Sequence, residues 1–135
     1  MNNVRFSTAI HILTLLAYSR EELLSSDYIA GSININPVLV RKEIINLRKH
    51  GLIESKEGKG GGSRLARAPK EIKISDIYRI VRQTGILGKT NDPNPACTVG
   101  RQINKQLEEL SAIAERSVTD KLEQLTLEDF TKNFK

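Results

Sequence analysis

The feature that most constrains the fold of this 135-residue chain is a helix with clear start and end signals, which a glycine-rich hairpin follows directly. Asn36-Pro37 predicts a helix start, because the Asn side chain can accept from free amides of the first turn and Pro at the first helical position loses no hydrogen bond. Gly51 can take the left-handed conformation that ends this helix. Residues 52–56 and 64–67 then predict two antiparallel strands, and the glycines between them allow the turn.

Two further helices are predicted before this segment. Apolar residues recur every three or four positions from Phe6 to Ala17, which predicts a first helix over residues 4–19 with one buried face. A short second helix is predicted to begin with Ser26 as its cap and with Asp27 near the positive end of its dipole. Three helices followed by a hairpin are typical of a winged helix-turn-helix, a mainly α fold whose third helix enters the major groove of DNA.

A long apolar stripe in the C-terminal third predicts a dimerisation helix. The stripe predicts a helix over residues 98–125, about 40 Å long and longer than a domain of this size can cover. Two copies packed antiparallel in a two-fold dimer would bury the stripe on both chains. Thr126 and Asp129 form a capping-box pattern, so we expect a short closing helix to begin there. The stripe residues expected at the dimer interface are Ile103, Leu107, Leu110, Ala114, Val118 and Leu122.

The positive charge of the chain is concentrated around the predicted third helix and hairpin. The net charge is +5, and the segment from Arg41 to Lys73 holds ten basic and four acidic residues, a net charge of +6. This distribution indicates an acidic partner, and with the predicted fold it indicates double-stranded DNA, although basic residues on a helix can also form a simple solvated face. The residues expected to contact DNA are Asn36, Pro37, Val38, Arg41, Lys42, Arg48, Lys49, Lys56, Lys59, Gly60 and Gly61.

Other functional classes are less well supported by the sequence. The glycine-rich turn matches neither G-x-x-x-x-G-K-[ST] nor G-x-G-x-x-G, so we do not expect a nucleotide-phosphate loop. Two His, one Cys and scattered acidic residues do not form a catalytic constellation, so we expect no enzyme. The remaining alternative is a protein-interaction or sensory module, whose DNA binding would be non-specific and would be lost at moderate salt.

Four sequence motifs are AIHIL at 9–13, NPVLVRK at 36–42, LRKHGLI at 47–53 and GKGGGSRLA at 58–66. With these motifs the chain resembles the Rrf2 family of winged-helix transcriptional regulators over nearly its whole length. The segment NPACTVG at 94–100 is similar to the loop of a YwnA-like branch with a single cysteine. The family includes repressors that respond to iron-sulfur clusters, cysteine metabolism and nitric oxide. The resemblance therefore implies a homodimeric cytoplasmic repressor that binds a pseudo-palindromic operator.

The resemblance also implies a division of the chain into three regions. Residues 1–82 would form the winged helix-turn-helix DNA-binding region, residues 83–97 a sensor loop, and residues 98–135 the dimerisation helix and the closing helix. The chain has no apolar run long enough to span a bilayer and no signal-peptide pattern at its start, so we expect no membrane association and a cytoplasmic location.

Cys97 decides what is expected of the sensor loop. Iron-sulfur members of the family place three cysteines in this loop, whereas this chain has only one cysteine, so we expect no cluster and no other cofactor. Cys97 has two interpretations: a redox-sensing thiol favoured by a helix that follows it immediately, or a small buried hydrophobic residue. His11 and His50 lack metal-site spacing, so we expect them to pack or to cap a helix, and we expect no metal site.

Overall fold

The chain is mainly helical, with one two-stranded antiparallel sheet in residues 4–82 and 85–134, the parts that the computed structural model describes. The predicted fold class is confirmed. A single turn of 3-10 helix, Pro69–Glu71, follows the hairpin. The other elements are α1 (Arg5–Tyr18), α2 (Ser26–Ile33), α3 (Pro37–Lys49), β1 (Ile53–Lys56), β2 (Gly62–Leu65), α4 (Ile74–Val81), α5 (Ile103–Leu122) and α6 (Leu127–Thr131).

Helix α3 begins and ends where the sequence predicts. Asn36 is the cap, and its Oδ1 accepts a hydrogen bond of 2.8 Å from the Val38 N–H. Gly51 has φ +77°, and the following Leu52 N–H donates to the Leu47 carbonyl at 3.1 Å. The left-handed conformation of Gly51 ends the helix, and the Leu52 N–H supplies a donor for one of its last carbonyl groups. Both ends of the helix are therefore fixed by local hydrogen bonds.

The cap of α2 and both ends of β2 differ from the predicted positions by one or two residues. Ser25, not Ser26, caps α2: its backbone is extended and its hydroxyl accepts from the Tyr28 N–H at 3.1 Å. Strand β2 spans 62–65 rather than 64–67, because its residues pair with β1 from Gly62 opposite Lys56 to Leu65 opposite Ile53. Ser63 also exchanges two backbone hydrogen bonds of 3.0 and 2.8 Å with Leu24. The ladder places the glycine end of the turn inside the sheet.

Helix α1 is at the centre of the core. Its buried residues include Ile12, Leu13 and Leu16, and it packs against α2, α3, α4, α6 and β2. The predicted capping box at the start of α6 is confirmed, since Asp129 N–H donates to Thr126 Oγ1 at 3.1 Å and Thr126 N–H donates to Asp129 Oδ2 at 2.9 Å. Leu127 is fully buried, so α6 closes the core against α1.

Helix α5 is shorter than the predicted span of residues 98–125. Residues 98–102 form turns, and at the other end the Leu125 carbonyl accepts a hydrogen bond of 2.9 Å from the Ile74 N–H at the start of α4. At 1.5 Å per residue the 20-residue helix is about 30 Å long. No residue of α5 is buried in the single chain. Within the described ranges, no helix has the length and apolar character that crossing a membrane requires.

Candidate nucleic-acid interface

A buried carboxylate fixes α3 against α1. Glu43 is only 5% exposed, and its Oε1 accepts from Arg5 Nε at 3.0 Å. Its Oε2 accepts from Asn46 Nδ2 at 2.9 Å and from Arg5 Nη2 at 3.4 Å. The arginine compensates the charge that burial would otherwise penalise. The opposite face of α3 is therefore held in a defined orientation toward solvent.

That exposed face borders a groove between α3, the start of α2 and the hairpin. Arg41 and Arg48 of α3 lie along one side of the groove, and Lys56 and Gly61 of the hairpin lie along the other. Ile45, an exposed apolar residue, lies between the two arginines on the helix surface. The structure thus brings together four of the predicted DNA-contact residues from two separate elements.

The other predicted contact residues lie around this groove rather than in it. Lys42 borders a separate depression with Leu39 and Asn46, next to the start of α1. Lys49 is exposed in the last turn of α3, and Lys59 is exposed in the turn of the hairpin. Of the remaining predicted residues, Asn36 and Pro37 form the start of α3, Val38 is exposed in its first turn, and Gly60 lies in the hairpin turn.

The basic side chains of this surface keep their charge available for a partner. In the part of the chain that the structure describes, none of the six forms an ion pair: Arg41, Lys42, Arg48, Lys49, Lys56 and Lys59. Arg64 on β2 differs, because its Nε lies 2.6 Å from Glu54 Oε1. Two acidic residues, Asp27 and Glu57, also line the groove and would repel a phosphate placed beside them.

The hairpin turn requires glycine at two adjacent positions. A Cβ on Gly61 would collide with the backbone carbonyl oxygen of Lys56 on the facing strand. Gly62 has φ +151°, and a Cβ there would lie 2.7 Å from the Leu24 carbonyl oxygen. The predicted role of Gly61 is thus at least structural: it lets the two sides of the hairpin approach closely beside the groove.

Sequence reasoning missed three residues of this surface. Ser26 and Ser55 line the groove, Ser55 Oγ lies 2.8 Å from Ser63 Oγ, and Glu43 anchors α3 from behind. The adjacent serines at the start of α2 signal a helix cap, but the groove position of Ser26 depends on the fold. The spacing of Glu43 and Asn46 is a local signal for their hydrogen bond, whereas the Arg5 partner lies 38 residues earlier in the chain.

The structure contradicts one interpretation of Cys97 and removes one argument for the other. Helix α5 begins at Ile103, so Cys97 does not directly precede a helix and the expected effect of a helix dipole on its thiol is lost. Cys97 is also exposed, so it is not a small buried hydrophobic residue. Its Sγ accepts a hydrogen bond of 3.4 Å from the Gly100 N–H. Residues 83 and 84 of the predicted sensor loop lie outside the described residues, as do 1–3 and 135.

A carboxylate on α5 binds the end of α4 and the residues that follow it. Glu115 accepts hydrogen bonds from the Tyr78 hydroxyl at 3.0 Å and the Ile86 N–H at 2.9 Å, and lies 2.7 Å from Arg82 Nη1. Burial alone would raise the pKa of Glu115, but the bonds from Ile86, Tyr78 and Arg82 together lower it below its ordinary value. Burial and the bond to Glu115 raise the pKa of Tyr78, which keeps its hydroxyl a donor.

The apolar stripe of α5 divides between the chain itself and solvent. Leu122 packs against the core of its own chain, whereas Leu110 is 55% exposed. Ile113, which the predicted stripe omitted, is 57% exposed. The other four residues of the predicted stripe are half-buried: Ile103, Leu107, Ala114 and Val118.

The two histidines form hydrogen-bond contacts within the chain. His11 Nε2 lies 3.0 Å from Ser32 Oγ, and His50 Nδ1 lies 2.9 Å from the Asn46 carbonyl oxygen.

Comparison with known proteins identifies the family. A family model described as "Rrf2: Iron-dependent Transcriptional regulator" matches residues 2–133. The chain belongs to the Rrf2 family. The predicted family and the predicted class, a transcriptional regulator with a DNA-binding winged helix, are confirmed for this Rrf2 protein.

Relatives of the Rrf2 protein cover almost its full length. YwnA of Bacillus subtilis is assigned as an HTH-type transcriptional regulator. It is 38% identical to this chain over 130 residues, which cover 96% of each chain. The HTH-type transcriptional regulator NsrR of Bacillus licheniformis is 30% identical over 133 residues, 93% of this chain and 87% of NsrR. A crystal structure of a protein assigned as a transcriptional regulator, from Lactobacillus plantarum, matches with a TM-score of 0.80 and 25% identity. The match covers 96% of this chain and 89% of that one.

The residues of this Rrf2 protein do not fit the iron dependence in the family description. Within residues 4–82 and 85–134, no group of three or more His, Cys, Asp or Glu side chains is placed to hold a metal ion. Cys97, the sole cysteine of the chain, is engaged with the Gly100 N–H. An iron-sulfur cluster needs several thiolate ligands, so this donor set does not support one.

Proposed function

We propose that this Rrf2 protein is a homodimeric repressor that reads a pseudo-palindromic operator with the groove between α3 and the hairpin. The observation that carries the proposal is the convergence of Arg41, Arg48 and Lys56 on one groove, with no ion pair to any of them in the described ranges. A guanidinium can donate two hydrogen bonds to a guanine edge, while lysines bind phosphate oxygens as point charges.

Each part of the surface has a proposed role. Arg41 and Arg48 contact base edges in the major groove, and Val38 and Ile45 supply apolar contacts to thymine methyl groups. Asn36 and Pro37 position the start of α3, and Gly60 and Gly61 let the hairpin approach the backbone. The residues proposed to contact phosphates are Lys42, Lys49, Lys56 and Lys59.

The exposed face of α5 supports the proposed homodimer. Leu110 and Ile113 are more than half exposed in the single chain, and a second copy of α5 would bury them. A two-fold dimer would place two recognition helices about 34 Å apart, one turn of DNA, and would occupy a promoter to block transcription. The region division proposed is residues 1–82 for DNA binding, 83–97 for sensing and 98–135 for dimerisation, and a thiol-redox signal would act through Cys97.

The proposal is tested by selecting duplexes from a randomised pool with the purified protein, in excess non-specific competitor. The expected result is an enriched consensus with two-fold symmetry. Arg41→Ala is expected to weaken binding to that consensus about 5- to 150-fold, because it removes about 1 to 3 kcal/mol of base recognition.

Arg79→Ala is the matched control, because Arg79 is an exposed arginine on α4, which packs against α1 and α5. Its binding is expected to stay within about twofold of the parent protein. If no sequence is enriched, or if both variants weaken binding equally and only at low salt, the protein binds DNA as a basic surface and the operator-reading proposal fails.

A further inference from the structure

One carboxylate in the middle of α5 binds three donors at the end of the DNA-binding region and beyond it. Glu115 Oε1 accepts from the Ile86 N–H at 2.9 Å. Its Oε2 accepts from the Tyr78 hydroxyl at 3.0 Å and lies 2.7 Å from Arg82 Nη1. The side chain of Glu115 is 14% exposed, so solvent screens these contacts less than those of a surface pair.

Two of these donors belong to the packed helices that carry the recognition helix. The Tyr78 ring of α4 meets the Phe6 ring of α1 edge to face, with the ring centroids 6.5 Å apart. Arg82 is the residue that ends α4. Helix α4 packs against α1, and α1 packs against α3. The contacts of Glu115 therefore orient α5 relative to α3 through packed helices.

The C-terminal end of α5 is attached to the start of α4 in a different way. The Ile74 N–H donates to the Leu125 carbonyl at 2.9 Å, and the Leu127 N–H donates to the Ile72 carbonyl at 2.8 Å. Glu115 lies seven residues before the end of α5, about 10 Å along the helix. Among the residues that the structure describes, no other side chain of α5 hydrogen-bonds to α4. Backbone bonds thus fix one point of α5, and Glu115 fixes a second.

We propose that Glu115 is a positioning residue that sets the distance between the two half-sites of the operator. The inference rests on the proposed function, in which α5 joins two copies and α3 reads DNA. In a two-fold dimer joined through Leu110 and Ile113, the angle between α5 and its own DNA-binding region determines the separation and rotation of the two α3 helices. One base pair changes the half-site separation by about 3.4 Å and the rotation by about 35°, so a fixed angle selects one spacing.

The test measures the affinity of the full chain for duplexes that carry the selected half-sites at the optimal spacing and at spacings one or two base pairs longer or shorter. The parent protein is expected to prefer the optimal spacing at least about tenfold over a change of one base pair, because both recognition helices then bind without distortion. Glu115→Ala is expected to reduce this preference to about threefold or less, because α5 can adopt several angles. Its affinity for a single half-site is expected to stay within about twofold of the parent value.

Tyr78→Phe and Arg82→Gln each remove one donor and leave Glu115 in place. Both are expected to give a spacing preference between those of the parent and of Glu115→Ala. Arg82→Gln removes a positive charge, whereas Glu115→Ala removes a negative one. A shared loss of preference therefore comes from the lost contact and not from the change in net charge.

Glu123→Ala is the matched control. Glu123 is also a carboxylate that pairs with a base near α4, since its Oε1 lies 3.4 Å from Lys73 Nζ, but it lies at the end of α5 that backbone bonds already hold. Both side chains of this pair are about half exposed. The spacing preference of Glu123→Ala is expected to stay within about twofold of the parent value.

Sedimentation and circular dichroism establish which variants are folded dimers, and Tyr78→Phe and Arg82→Gln decide the question if Glu115→Ala is not one. The proposal is overturned if the folded variants keep the full spacing preference of the parent, or if Glu123→Ala loses it equally. It is also overturned if the parent binds an operator specifically but tolerates every spacing. If the parent enriches no operator at all, the proposed function fails together with this inference, so the two failures are distinguishable.

Discussion

Replacing Glu43 with Gln tests whether a buried ion pair holds the recognition helix. The carboxylate is 5% exposed and accepts from Arg5 Nε at 3.0 Å and from Asn46 Nδ2 at 2.9 Å. Gln keeps the shape but offers one acceptor oxygen, so one of these donors faces an amide NH₂ group. Hydrogen bonds to a charged partner contribute about 1.5 to 3 kcal/mol and neutral ones about 1, so we expect Glu43→Gln to lower the free energy of unfolding by about 2 kcal/mol.

The assay is urea unfolding followed by circular dichroism at one fixed protein concentration, because dimerisation changes apparent stability. A loss of about 2 kcal/mol lowers the urea midpoint by about 1 M at a typical slope. Glu54→Gln is the matched control: Glu54 also pairs with an arginine, Arg64, at 2.6 Å, but both side chains are exposed. Exposed pairs contribute about 0 to 1 kcal/mol. Equal losses in the two variants would show that burial of Glu43 does not strengthen its pairing.

Three further predictions follow from the same structure. Gly31→Ala on the exposed face of α2 is expected to raise the free energy of unfolding by about 0.5 to 1 kcal/mol. Gly61→Ala is expected to lower it by at least about 1 kcal/mol, because the new Cβ would collide with the Lys56 carbonyl oxygen. Urea unfolding curves measure both changes. Because Glu115 has a lowered pKa in the folded chain, its contribution to stability is full above the ordinary value of 4.5 and is lost as pH falls through the folded pKa. Unfolding curves of Glu115→Gln between neutral and acid pH should therefore lack that part of the pH dependence, and an unchanged pH profile would contradict the assignment. The exposed Cys97 is expected to react with iodoacetamide in the folded protein about as fast as in urea, and protection of at least about tenfold would contradict its exposure.

The elements with local signals could be predicted from the sequence. Asn36 and Gly51 set the ends of α3 through contacts with residues at most five positions away, so composition and order suffice to place them. One boundary that failed, the cap of α2, is still set locally, because the Tyr28 N–H donates to Ser25 three positions earlier. Strand β2 begins at Gly62, which pairs with Lys56, and Ser63 also pairs with Leu24, 39 positions earlier, a contact that no local rule for strands contains.

The candidate site was predictable in its charge but not in its support. Exposed bases such as Arg41 follow from the helical period of the buried stripe, which leaves them on the other face. Charged residues within helices are normally interpreted as solvated, so the sequence gave no signal of the long-range partners of Glu43 and Glu115. Their partners come from other elements: Arg5 for the first, and Tyr78 and Arg82 for the second. The burial of Glu43 and the contacts of Glu115 with α4 are tertiary properties and need the structure.

The charge of a segment and the charge that a partner can use are different quantities. The segment from Arg41 to Lys73 carries +6, but the fold engages some of its bases with acids: Arg64 pairs with Glu54, and Lys73 Nζ lies 3.4 Å from Glu123 Oε1. The basic side chains of α3 and the hairpin turn form no ion pair with an acid among the described residues, so their charge stays available to a partner. Each phosphate that they neutralise should add about 0.9 to the dependence of log affinity on log salt, so the salt slope counts the cations that reach DNA.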